Sequence, residues 1–206
     1  MSGWIGRWFR SCAIVGLVIL ATTAYATTVI PPEFDQLVNE TDYVVRAVVK
    51  SVNAEYRVGP DGRTIITFVE LEVREVILGT PPARVVLEML GGIVGDNELE
   101  VVGAPKFKVG DEDILFVSGN GRTISPLFAM MHGRYPILRD PSSGRSSMAR
   151  SNHTPLTDPA DVSLPLEENA APPRLAASSA PGLTPEQFAL RIKAAVNPGY
   201  TRARIR

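Results

Sequence analysis

Residues 63–78 constrain this chain most tightly. Val69, Leu71 and Val73 alternate there with Glu70, Glu72 and Arg74. A period of two sends successive side chains to opposite faces, so this run reads as a strand with one dry face and one wet face. Gly59, Pro60, Asp61 and Gly62 form a strong turn signal ahead of it. The valine-rich segment 43–52 on the other side of that turn also reads as a strand, with Arg46 and Lys50 breaking one of its faces. The two together predict a β-hairpin. Its second arm is long for a single strand and is expected to bend strongly before Gly79, Thr80, Pro81 and Pro82 end it.

Shorter strands follow at regular spacing. Residues 84–90 predict a third strand closed by Gly91 and Gly92, where glycine permits a positive φ or a close backbone approach. Gly95, Asp96 and Asn97 mark a turn before a short fourth strand over 99–102. Residues 103–110 connect onward, with Phe107 and Val109 expected to plug the end of a barrel. Residues 113–118 predict a fifth, buried strand, and residues 127–131 and 134–139 two last strands around His132 and Gly133. The fold class is therefore mainly β, a small antiparallel OB-like barrel or sandwich. Phe34, Leu37 and Val38 add a short helix before it.

The composition changes at Asp140. Residues 140–181 are rich in Ser, Pro and Ala without apolar periodicity, which predicts a disordered linker. Order returns at Thr184, which with Pro185 and Gln187 spells an N-cap, a first-turn proline and a capping box. Phe188, Ile192 and Ala195 line one face of the resulting amphipathic helix, and Pro198 with Gly199 stops it. A helix this short is unstable alone. It is expected to dock on the β domain, with a partner protein as the alternative. Arg202, Arg204 and Arg206 form a basic tail beyond it, read as a frayed terminus. The expected organisation is a β domain over 27–139, a linker over 140–181 and a helix with its tail over 182–206.

The N-terminus reads as a secretory leader. Arg7 and Arg10 precede an apolar run over 12–21, and Ala24-Tyr25-Ala26 supplies the small-x-small site of a signal peptidase. The run is about ten residues, short of the roughly 20 that span a bilayer. Cleavage between Ala26 and Thr27 is expected, with export to the periplasm or medium. It removes Cys12, the one cysteine of the chain, so the mature protein has no disulfide or Cys ligand. It also removes two arginines from a balance of 21 basic against 22 acidic residues. That mildly acidic balance, without an aromatic-plus-basic stripe, argues against nucleic acid as a partner.

Residues that could carry chemistry are few. His132 and His153 are the two histidines, too few and too far apart for a zinc site. Asp96, Glu98 and Glu100 alternate and Asp111, Glu112 and Asp113 are contiguous, which makes an oxygen-only calcium site conceivable. Beside Gly95 and Gly110 these acids read as turn residues and solvated strand ends. Ser118 and Ser125 lack a nucleophile elbow. Gly91-Gly92 with Gly95 lacks the Lys-Ser/Thr ending of a phosphate loop. Met130 and Met131 read as buried strand residues rather than an adaptable binding patch. No catalytic, cofactor or metal residues are assigned. The partner class that remains is a protein or a cell-envelope component.

Five phrases occur in order: DYVVRAVV at 42–49, VREVILG at 73–79, Gly91-Gly92, GAPKFKVGDEDILF at 103–116 and HGRYPI at 132–137. Over 33–139 the chain resembles a group of uncharacterised exported bacterial proteins with a small β-barrel domain, and the helix near 184–196 fits that group as well. That group has no assigned activity to carry over; the leader, the β pattern and the missing catalytic constellation lead to the expectation of a non-enzymatic exported module. Some members of the group carry the domain beside a zinc metallopeptidase, which implies an accessory or regulatory role as an alternative. An enzyme with an acid-only or calcium site is a second alternative. The barrel also resembles the netrin/TIMP-type OB-fold more loosely. TIMP-type inhibition needs an N-terminal cysteine on the protease zinc, and a mature chain beginning at Thr27 has none, so that mechanism does not carry over.

Overall fold

A computed structural model describes residues 30–59, 62–166 and 182–199. The leader with its Ala26–Thr27 site, residues 167–181 and the tail arginines lie outside the described residues. The elements are α1 (Phe34–Asn39), β1 (Tyr43–Gly59), β2 (Gly62–Gly79), β3 (Val85–Leu90), β4 (Gly92–Val94), β5 (Asn97–Leu99), β6 (Glu112–Val117), β7 (Arg134–Arg139), β8 (Ser146–Met148) and α2 (Pro185–Ala194). Six strands form one antiparallel sheet in the order β3-β2-β1-β6-β7-β8, and β4 pairs with β5 apart from it. The mainly β class with its two flanking helices is as the sequence predicts.

The long hairpin runs from Tyr43↔Gly79 to Gly59↔Gly62. Its register shifts between Val44 and Val45, between Arg46 and Ala47, and between Val49 and Ser51. An inserted residue bends a strand and raises its twist, so these irregularities supply the expected curvature.

Each face of the bent sheet carries a buried core over part of its length. One core joins Tyr43, Val45, Ala47 and Val49 of β1 to Val69, Leu71, Leu87, Leu115 and Val117. The other joins Val44, Ile77, Ile114, Phe116, Tyr135 and Met148 to the helices. β6 therefore sends Ile114 and Phe116 to one core and Leu115 and Val117 to the other, which explains its unbroken apolar run. On the helical side, the Phe188 ring lies 5.2 Å from Tyr135, 6.0 Å from Phe34 and 6.2 Å from Phe116 between centroids. Thr184 caps α2, with Gln187 completing the capping box. Arg46–Glu186 at 3.0 Å and Lys193–Glu75 at 2.9 Å tether its two ends to the sheet.

No ladder closes the sheet into a barrel among the described residues. The outer edge of β3 is sealed instead by the 119–124 turn. Asn120 Oδ1 accepts from the Glu88 N–H at 2.9 Å, and its Nδ2 donates to the Val86 carbonyl at 2.7 Å. The Leu90 N–H donates to the Ile124 carbonyl at 3.0 Å. One carboxamide thus acts as a missing strand residue. On the opposite edge, the Met148 N–H donates to Leu183 at 2.8 Å.

Several expectations need correction. Segment 140–181 is not a structureless linker through residue 166. It contributes β8, a 3-10 turn at Pro159–Ser163, and the buried residues Met148, Ala149, Arg150, Leu156 and Val162. In this segment Met148, Leu156 and Val162 are isolated and aperiodic, yet each fills a place in the helical-side core. Its loops are fixed locally, by Asp140 accepting from Ser142 and Ser143 and by the Asp158–Asp161 capping box. Residues 127–131 form no strand. Leu127 makes a single bridge to Val117, and the chain then coils into a 3-10 turn at Met130–Gly133, entered through left-handed Ala129. Met130 and Met131 are half-buried in that turn. Phe107 is buried as expected, but Val109 is 68% exposed. The strand expected over 99–102 falls earlier, as β5 at Asn97–Leu99, and an additional short strand, β4, forms at Gly92–Val94.

Phe188→Ala removes the ring on which the four-aromatic cluster converges. It is expected to lower the unfolding free energy by about 3–5 kcal/mol, read as a lower urea midpoint at unchanged slope.

Candidate functional site

Gly91 and Gly92 border a concave feature of the fold. Gly91 has φ +99° and Gly92 φ +134°. A Cβ on Gly92 would lie 2.3 Å from Thr67 Oγ1 and 3.0 Å from the Ala54 side chain. β4 therefore crosses β1 and β2 with bare backbone against their side chains. Thr67 Oγ1 donates to the Gly91 carbonyl at 2.6 Å, and the Gly91 N–H donates to the Ile65 carbonyl at 2.9 Å.

Beyond that crossing lies a half-open cleft of about 410 Å³. Val69, Met89 and Phe107 form its floor, and the β4–β5 hairpin its roof. Val101, Ala104 and Pro105 close the side. Glu98, Glu100 and Lys106 stand at the rim, with Lys106 Nζ 3.0 Å from Glu100 Oε1. The interior is aliphatic and aromatic, and charge is confined to the lip.

The floor is held from behind by Arg134. Its guanidinium carbon lies 4.4 Å from the centroid of the Phe107 ring. Its Nε donates to Asp113 Oδ1 at 2.9 Å and its Nη2 to Asp111 Oδ2 at 2.7 Å, while Nη1 donates to the Lys106 carbonyl. Arg134 pairs with Leu115 across β6–β7 and so lies diagonal to Asp113 on the same sheet face. Asp113 is fully buried, and desolvation pushes its carboxyl pKa up against the opposing pull of Arg134. A planar fork on two carboxylates is the geometry in which a buried arginine is best satisfied.

This network corrects one expectation. Asp113 is not a solvated strand end. The 111–113 acids face guanidinium groups, Arg134 for Asp111 and Asp113 and Arg46 for Glu112 at 2.7 Å. Asp96, Glu98 and Glu100 are exposed along the β4–β5 hairpin. Among the described residues, no three His, Cys, Asp or Glu side chains are grouped to hold a metal. Ser125 Oγ accepts from the Leu127 N–H at 3.4 Å, and Ser118 bonds Pro126 through its main chain. His153 is exposed in a turn at φ +62°.

His132 is 5% exposed, and burial, followed by the nearby Arg150 cation, lowers its pKa to about 4. Arg150 is itself buried and donates to the Leu164 and Pro165 carbonyls. The 3-10 turn before β7 is tied to the segment after β8 by Ser151, whose Oγ is within hydrogen-bond reach of the Met131 and Arg134 carbonyls.

Arg134 was not legible as a centre, because its partners are fixed by β6–β7 pairing and not by any local spacing. The Gly-Gly bend was legible, but the cleft it roofs was not. No family model matches the chain, and comparisons with curated proteins and with solved structures return no match.

Two outcomes follow. Arg134→Met leaves Asp113 buried without its partner and is expected to cost about 3–5 kcal/mol at neutral pH. Adding Asp113→Leu should recover most of that loss in urea titrations. For His132 the folded pKa lies below the unfolded value, so its contribution is complete above about pH 6.5 and is lost as pH falls toward 4. The wild type should lose about 3 kcal/mol across that window from this group, and His132→Gln should flatten the slope.

Proposed function

We propose that this chain is an exported, non-enzymatic binding module, and that its ligand seats an apolar group in the cleft beneath the β4–β5 hairpin. The cleft carries this reading. At about 410 Å³ it falls within the usual range of small-ligand sites, roughly 300–1,000 Å³. Its floor is rigid, because Phe107 is clamped by Arg134, and its roof is fixed by the Gly92 crossing. Preformed apolar walls lower the ordering cost of binding. The acidic and basic groups at the lip orient whatever enters without contacting its buried end.

The leader supports export, and with it a ligand that is an apolar side chain or acyl group of a protein or envelope component. The ordered phrases between 42 and 137 support the same reading through their resemblance to exported bacterial β-barrel modules. An accessory role beside a secreted zinc metallopeptidase rests on that resemblance alone.

The test is titration with an uncharged apolar fluorophore, N-phenyl-1-naphthylamine. Saturable enhancement by the folded protein is expected. Ala104→Trp, which fills the side wall, should weaken it by about tenfold or more without shifting the urea midpoint. Absence of saturable uptake by the wild type, or equal uptake by Ala104→Trp, would overturn the reading.

A further inference from the structure

The six-stranded sheet has both outer edges covered, β3 by Asn120 and Ile124 and β8 by Leu183. Among the described residues, a third edge makes no backbone hydrogen bonds. β6 pairs with β1 over Tyr43 to Val48, and Val49 completes that contact through its N–H to Asp111 and its carbonyl from Gly110. The bulge at Lys50 follows, and β1 then continues to Gly59 paired with β2 on one side. Among the described residues, no backbone group bonds to the other side beyond Val49.

The phase of that edge is fixed. Ile65 turns its carbonyl away from β1 to accept from Gly91. Its cross-strand partner Tyr56 occupies the matching non-bonded position and presents its own N–H and C=O outward. By the period of two, Val52, Ala54 and Val58 do the same. Asn53, Glu55 and Arg57 bond β2 with their backbone and hold exposed side chains on the opposite face. Val58 is 80% exposed. Unpaired strand edges template further pairing unless they are guarded.

We infer that this edge pairs antiparallel with the same edge of a second copy, about a two-fold axis through Tyr56. The outward groups permit a few registers, and charge selects among them. An axis at Glu55 sets Glu55 against itself, and one at Arg57 sets Arg57 against itself. An axis at Tyr56 sets Glu55 opposite Arg57 of the second copy, twice, at non-hydrogen-bonded positions where facing side chains come closest. Hydrogen-bonded pairs then join Ala54 to Val58 of the second copy, Tyr56 to Tyr56, and Val58 to Ala54. This is an isologous, self-complementary interface. In the single copy Arg57 lies over Phe68, 5.2 Å from the ring centroid, and pairs with Glu88 of β3 at 2.8 Å, so facing Glu55 of the second copy requires it to exchange or share that half-exposed partner. A junction of this length is small among specific interfaces, so the dimer is concentration dependent. This inference does not rest on the apolar cleft.

Sedimentation of the purified protein over a concentration series tests it. The wild type is expected to move from monomer to twice the monomer mass. Glu55→Arg and Arg57→Glu, each alone, place like charges across the junction and should stay monomeric where the wild type is dimeric. Mixed in equal amounts they should form a heterodimer, and the double variant E55R/R57E should recover the homodimer. Tyr56→Pro, which removes an outward N–H that β2 does not use, should also abolish assembly, with circular dichroism reporting that the fold is kept. A wild type that remains monomeric at its highest soluble concentration overturns the inference, including the case in which a peptide from another protein occupies this edge. A dimer that survives both single charge reversals assigns assembly to another surface and overturns it as well.

Discussion

Two-sided burial of one strand organises this protein. β6 places Ile114 and Phe116 under the helices and Leu115 and Val117 in the opposite core. A strand dry on both faces must have a layer on each side of it. On one side the sheet bends over itself, with Phe107 and Leu127 drawn in from the connecting loops. On the other side neither short helix suffices, and residues 148–162 complete the cover. The short helices α1 and α2 and the segment 148–162 are therefore parts of a single fold.

The same constraint explains the buried charges. Asp113, the second residue of β6, lies on a face that must be dry, so its carboxylate needs a partner inside the protein. Arg134, at the start of the neighbouring strand, supplies one and extends to Asp111, Lys106 and Phe107. Replacing such a pair with matched apolar residues often costs little. What distinguishes this pair is its reach, since it fixes an aromatic ring in the cleft floor and a backbone carbonyl at the lip.

The legible parts of the sequence were those whose pattern is local. Alternation declared β2, the Thr184–Gln187 box declared α2, and Gly91-Gly92 declared a bend. The helical-side cover after Asp140 was not legible, because Met148, Leu156 and Val162 stand alone among polar residues and acquire meaning only from the core they meet. Residues 127–131 misled for the converse reason. Their apolar run suggested a strand, but the backbone turns through left-handed Ala129 and Met130. The cleft was half legible, its bend from the glycines and its floor not at all, since Phe107 and Arg134 meet only through strand pairing.

The Gly92 crossing has a consequence for how this site can diversify. The cleft's height is set by main chain resting on Thr67 and Ala54, not by the size of any side chain above it. Substitution cannot tune that dimension by degrees, since any side chain at Gly92 would meet Thr67 within 2.3 Å. Width and lip charge are free to vary, because Val101, Ala104 and Lys106 lie on a connection outside the main sheet. A lineage of such proteins would keep one ceiling and change its doorway.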